Sequence, residues 1–411
     1  MNDRNRIARN LKGLGPKDWE RAIDLDRMLA YRAARLQEAI AAEDCAGAVI
    51  MGTHNLRYAT GTMRAAIYNM HKPSRAAFVP AQGTITAFDW FRPDNPHWTP
   101  DIIGELVPMP VFAYFPAGDH NTALLKRFAG AIAERARKAG GARVALDISD
   151  PALVHALIAE GLTVVSADRL IERATLIKNE DEIACLAHAC AISGIGMARM
   201  REALEPGITE LELLSILAQT NMAHGGEWLE YKLLASGGRI NPWEQEATDR
   251  MIQAGELVAF DCGMVGPFNY SADVSRTMFC GPGRPSPEQK KLYRLAVENI
   301  EHNLSLVKAG VSFEAFSKGC WPYPAEYVKH RYPCMAHGIG MGDEWPAIPW
   351  PQDWANEGYE GELQENMVIC VESFIGSQHG GEGVKLEQEI VVTADGYQLL
   401  STFPWEANLL D

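Results

Sequence analysis

The sequence predicts a two-domain protein, with an α/β domain over residues 1–172 followed by an α+β domain over residues 173–411. Three observations predict it. The chain has 411 residues, against roughly 100–200 for a typical domain. In the first part, short apolar runs alternate with helical patterns, the signature of a βαβ-type sheet. In the second part, strands and helices are grouped instead, after a long helical stretch that starts at Asn179.

The elements follow in order. Residues 26–44 place Met28, Leu29, Leu36 and Ile40 among Arg and Glu, which is an amphipathic helix. Ala46 to Met51 reads as a buried strand, with further strands over residues 75–80, 85–90, 143–147 and 162–166 and helices over 123–139 and 151–160. A helix runs from Asn179 to about Leu204 and stops at Pro206-Gly207. Thr209 with Glu212 forms a capping box that opens the next helix. Strands are expected over 230–237, 257–262, 273–280, 368–373 and 385–393, and helices over 287–308 and 312–319. Residues 342–361, dense in Trp, Pro, Gly and acids, read as an ordered loop.

Composition excludes several functions. The 53 acidic residues outnumber the 38 basic ones, a net charge of −15. That balance argues against a nucleic-acid partner, whose binding draws on basic side chains, and against a membrane surface. An anionic substrate stays open, because a bound cation reverses the local sign. The eight cysteines are scattered and form no Cys-x-x-Cys pair, so buried free thiols are expected. The start, Met-Asn-Asp-Arg-Asn-Arg, lacks a leader pattern, and no apolar run approaches ~18–20 residues. A cytoplasmic protein without a membrane span is expected.

Four clusters carry chemistry. The strings Phe-Asp261-Cys-Gly and Ala-Asp273-Val-Ser-Arg each set an aspartate in apolar, β-forming sequence. A buried carboxylate is costly unless paired or metal-bound. Both could instead be turn residues beside Gly263 and Gly266. The string Ala-His337-Gly-Ile-Gly sets an imidazole against permissive backbone. Val-Ile-Cys-Val-Glu372 and Gly-Val-Lys-Leu-Glu387 each put a glutamate inside a strand-like run. Four carboxylates and one imidazole share one explanation in a pair of cations, since carboxylate oxygens with some imidazole suit hard or borderline metals.

The order Asp261, Asp273, His337, Glu372, Glu387 resembles the pita-bread superfamily of methionine aminopeptidase, Xaa-Pro aminopeptidase and creatinase. The resemblance covers residues ~175–405, and the preceding α/β region resembles the creatinase-type N-terminal domain. It implies that those five residues are metal ligands, that two divalent or trivalent ions are bound, and that the protein is a homodimer. Two histidines that the aminopeptidases carry are missing. The loop Ser-Gly-Gly-Arg-Ile-Asn241-Pro-Trp243 has none, and Asp343-Glu344 stands where a His-Glu pair follows His337. The pattern is more similar to the dimethylsulfoniopropionate lyases of the DddP type. The strings that carry this are Asn55-Leu-Arg-Tyr58-Ala-Thr-Gly61, Asn241-Pro-Trp243, Tyr332 ahead of His337 and Asp343 after it. That resemblance implies iron, with Asp343 as the base and Tyr332 in the substrate pocket, although ligand type equally admits manganese, cobalt or zinc. Those lyases carry one more aspartate, where this chain has Gly263.

Two mechanisms are open. In a β-elimination Asp343 removes a proton α to a small carboxylate substrate, and dimethyl sulfide leaves acrylate behind. Trp243, Trp345, Tyr332 and Tyr58 could offer faces to the sulfonium, or simply pack in the core. In the alternative, a dinuclear Xaa-Pro dipeptidase-like or creatinase-like hydrolase uses a hydroxide bridging two metals, with Glu372 moving the proton. His379, between the two glutamate strands, either lines the pocket or sits in a hairpin turn. A catalytically silent binding module would have no reason to keep five buried ligands.

Overall fold

The computed structural model describes residues 22–62, 66–90, 100–148 and 150–411. They divide into two compact units, Asp24–Thr175 and Leu176–Asp411, the second also taking residues 22–23. The sequence boundary at 172 thus lies just short of the division, inside the helix Asp168–Thr175.

The first unit is a mixed sheet of β1 (Gly47–Ile50), β2 (Arg75–Pro80), β3 (Ile85–Asp89), β4 (Ile103–Pro108), β5 (Arg143–Leu146) and β6 (Thr163–Ser166), in the order β4-β3-β2-β1-β5-β6. β1, β2 and β3 are buried throughout, which is why they read as short, mostly apolar runs rather than alternating ones. The helix Leu25–Ala42 starts at Asp24, whose side chain accepts the Arg27 N–H, and buries Met28, Leu29, Leu36 and Ile40. Sequence reading passes over β4. It is largely exposed at the sheet edge, so the apolar signal is weak.

The second unit opens with the helix Glu180–Ala203, capped by the reciprocal pair Asn179 and Glu182. By length and composition this helix could cross a membrane, against the sequence expectation. Half of the relevant window is buried within the unit, where the helix packs on its successor, Glu210–Ala223, so it is apolar as a core helix is. The capping box of Thr209 and Glu212 is present.

The strands of this unit are β7 (Trp228–Leu229), β8 (Leu234–Ser236), β9 (Leu257–Asp261), β10 (Met264–Val265), β11 (Ser271–Ala272), β12 (Ser275–Phe279), β13 (Ala336–Ile339), β14 (Asp343–Ile348), β15 (Val368–Gly376), β16 (Gly383–Val392) and β17 (Tyr397–Leu399). They form three sheets, β11-β10-β7, β12-β9-β8 and β14-β13-β15-β16-β17, with every pairing antiparallel. β14 corrects the reading of residues 342–361 as loop. Pro346 removes a ladder donor and disguises the strand, but at a sheet edge that donor is not needed.

β15 and β16 are buried along their whole lengths, with the helix Pro287–Ser305 packed on them. Thr277 in β12 exchanges hydrogen bonds with the Lys385 backbone in β16, donating to its carbonyl at 2.9 Å and accepting its N–H at 3.0 Å. That stitch brings the β9–β12 pair against the β15–β16 pair. All eight cysteines are free and six are buried, as the scattered spacing implies.

Candidate metal centre

Strand alternation builds the site. In β15, Cys370 and Glu372 share a face, and in β16 Lys385, Glu387 and Glu389 share one. The register sets Glu372 opposite Glu387 and Cys370 opposite Glu389. Asp261 ends β9, opposite Ser275. His337 sits in β13, where the register shifts between His337 and Gly338, a bulge of the kind that re-aims a side chain.

The five sequence-predicted ligands converge, and all are buried. His337 Nε2 lies 3.6 Å from Asp273 Oδ2, 3.4 Å from Glu372 Oε1 and 3.9 Å from Glu387 Oε1. Ligands about 2.1 Å from a common cation sit roughly 3–4 Å from one another, so this spacing is that of a coordination shell. The His337 Nδ1 side, 3.0 Å from the Gly338 carbonyl, fixes the ring so that Nε2 faces the carboxylates. Cys370 Sγ adjoins the same cluster, within 4.8 Å of ligand atoms of Asp273, His337 and Glu387.

The electrostatics call for a cation. Burial and neighbouring carboxylates push the Asp273 and Glu387 carboxyls well above their ordinary range. Glu372 Oε1 and Glu387 Oε1 are buried with no hydrogen-bond donor. Buried acceptors of that kind are costly unless something positive meets them. The donor set therefore fits a metal ion, held by Asp273, His337, Glu372 and Glu387.

Sequence reading missed three residues. Lys385, fully buried, sets Nζ 2.5 Å from Glu372 Oε2, 3.2 Å from Asp261 Oδ2 and 3.3 Å from Glu387 Oε2. Tyr231 reaches Asp273 Oδ1 at 2.7 Å and Asp261 Oδ1 at 3.1 Å. Glu389 accepts the Asp273 backbone N–H at 3.0 Å. The one available signal was parity, since Lys385 and Glu389 stand two residues either side of Glu387.

Burial pushes the Glu389 carboxyl up from 4.5 to about 8. Between those values the folded chain holds a proton that the unfolded chain has lost. Glu389 thus stabilises the metal-free fold below 4.5, and that contribution is lost as pH rises towards 8. Glu389→Gln removes the dependence. In urea unfolding of stripped protein, the stability of the variant relative to wild type is expected to climb across that window, and a flat difference refutes it.

The remaining predicted residues divide. Asp343 lies at the rim, with Oδ1 3.9 Å from His337 Nδ1 and its side chain 74% exposed. The Tyr332 ring covers the Lys385 ammonium at 4.4 Å, and the Trp243 ring is 6.0 Å from it, with the indole N–H buried and without an acceptor. Trp345 packs instead on Phe313 and Tyr359. Tyr58 is buried in the first unit, where its hydroxyl donates to the Ala174 carbonyl. His379 is exposed in the turn joining β15 and β16, where its backbone N–H donates to the Ser377 hydroxyl. Arg276 donates to the Ser275, Glu387 and Phe403 carbonyls and stacks on Trp405.

The chain is 32% identical to the dimethylsulfoniopropionate lyase DddP of Roseovarius nubinhibens, over all of this chain and 94% of that protein. It is 28% identical to the Xaa-Pro dipeptidase of Pyrococcus horikoshii, over 57% of this chain and 65% of that one. The Xaa-Pro dipeptidase structure from Bacillus anthracis superposes with a TM-score of 0.74 at 20% identity, covering 92% of this chain and 99% of that one, so the fold is of the creatinase/prolidase pita-bread type. The model of metallopeptidase family M24 matches residues 184–394, which contain all five converging side chains. By that match, and by its full-length similarity to DddP, the chain belongs to metallopeptidase family M24.

Proposed function

We propose that this protein is a metal-dependent carbon–sulfur lyase that converts dimethylsulfoniopropionate, or a related small carboxylate, to acrylate and dimethyl sulfide. The observation that carries the reading is Asp343, a solvent-reached carboxylate beside His337 that is not itself among the converging ligands. The full-length similarity to a DddP lyase supports it. A bound cation, iron by the same resemblance, would supply Lewis acidity towards the substrate carboxylate. Asp343 takes the α-proton, the C–H electrons become the new C=C bond, and the C–S pair leaves on dimethyl sulfide. The proton then passes from Asp343 to water. Tyr332 lies beside the centre with its ring over the Lys385 ammonium, and Trp243 is buried near the same group.

A second reading, a dipeptidase-like hydrolase, is favoured by Gly263, because the chain keeps the five-ligand set without the further aspartate of the lyases. The test is headspace gas chromatography of purified, metal-assayed protein supplied with dimethylsulfoniopropionate. Dimethyl sulfide with equimolar acrylate is expected. A metal-loaded preparation that releases no gas rejects the lyase and turns attention to Xaa-Pro dipeptides.

A further inference from the structure

The carboxylate oxygens of the centre fall into two sets. One set is already bonded to protein donors. Asp261 Oδ1 and Asp273 Oδ1 accept from the Tyr231 hydroxyl, while Asp261 Oδ2, Glu372 Oε2 and Glu387 Oε2 surround the Lys385 ammonium. Ser275 also donates to Glu387 Oε2, at 2.7 Å. The other set, Asp273 Oδ2, Glu372 Oε1 and Glu387 Oε1, faces His337 Nε2, and its two glutamate oxygens have no donor.

We infer that this centre takes one metal ion rather than two, held by Asp273, His337, Glu372 and Glu387, with the Lys385 ammonium as the resident cation of the other half. Lys385 is well fixed there. It is fully buried, its Nζ donates to Ser275 Oγ at 2.7 Å, and the Tyr332 ring closes over it at 4.4 Å. A second metal at Asp261 would have to displace both this ammonium and the Tyr231 proton. Three carboxylates within 3.3 Å make that displacement unfavourable.

The inference rests on the reading of the cluster as a metal centre, and it bears on the reaction. Dinuclear hydrolases use two cations as a clamp on attacking and leaving atoms. A single cation held by Asp273, His337, Glu372 and Glu387 beside a fixed ammonium would lack that clamp but would still supply the Lewis acidity towards a substrate carboxylate that elimination needs.

The test uses the full-length wild-type protein, stripped with a chelator and titrated with Mn²⁺ by calorimetry, with bound metal counted by elemental analysis and an electron paramagnetic resonance spectrum of the loaded sample. One Mn²⁺ per chain with an uncoupled hyperfine pattern is expected. Two per chain with an exchange-coupled pattern overturns the inference and leaves the lyase reading standing. No bound metal overturns both. Lys385→Met is expected to admit a second Mn²⁺, and a folded variant that still binds one overturns the assignment to Lys385. If that variant does not fold, the wild-type spectrum decides alone.

Discussion

Asp343→Ala is expected to cut dimethyl sulfide release by about 10²–10⁴-fold, the usual contribution of a positioned general base, while bound metal stays at the wild-type level. The separation follows from geometry. Asp343 approaches the Nδ1 side of His337, whereas the convergent carboxylates meet Nε2. With 74% of its side chain exposed, Asp343 can be truncated with little change in stability, typically within about 0.5 kcal/mol. Its pH behaviour gives a second reading. Although water reaches much of the side chain, protein crowds it on the inner side, and that partial loss of hydration raises its pKa. Asp261, Glu372 and Glu230 raise it further, and His337 works against them. A base acts only after losing its proton, so activity should climb with pH through a value above the ordinary aspartate range of about 3.9. A variant with full activity ends the assignment, as does one that loses its metal.

Gly263→Ala is expected to destabilise the second unit by about 2–4 kcal/mol, combining overpacking with the strain of a left-handed backbone at a non-glycine residue. Gly263 has φ +36°, and a Cβ there would lie 2.4–2.7 Å from three atoms of the Tyr231 ring. That ring cannot retreat without pulling its hydroxyl from Asp261 and Asp273. The Tyr231 ring thus occupies the space that any side chain at residue 263 would need, including the further aspartate of the lyases. Urea unfolding and metal titration check this together. In a Tyr231→Ala background the overpacking part should vanish and the backbone part remain, and a cost that does not fall there shows that the ring contact contributes nothing.

Much of the fold was readable because its signals are local. The helices over Leu25–Ala42 and Glu180–Ala203 announce themselves by apolar spacing and caps. The converging carboxylates were readable because a carboxylate inside an apolar strand is anomalous by itself. Tyr231 was not, since it joins Asp261 and Asp273 from 30 residues or more upstream and no local pattern marks it. Lys385 lay in plain view beside Glu387, but a lone lysine in a strand normally reads as a solvated side chain; only the closed packing around it shows that its charge is needed inside. Tyr58 and Trp345 illustrate the converse, for composition marks an aromatic without saying whether it packs or binds. β14 was masked by Pro346, a residue that argues against strands except at an edge, and edges are decided by the tertiary fold.

The long β15–β16 hairpin has a consequence for how the protein assembles. Glu372, Lys385 and Glu387 face inwards only because Glu372 pairs with Glu387 and Phe374 with Lys385. Sliding β16 by a single position would turn Val384, Leu386 and Gln388 into the pocket and press the charged trio into apolar packing. The polar residues therefore act as alignment marks, tolerating one pairing out of several that the apolar sequence alone would accept. Binding of a cation by Asp273, His337, Glu372 and Glu387 would pull hardest on chains already aligned, so metal present during refolding should raise the yield of native protein more than metal added afterwards.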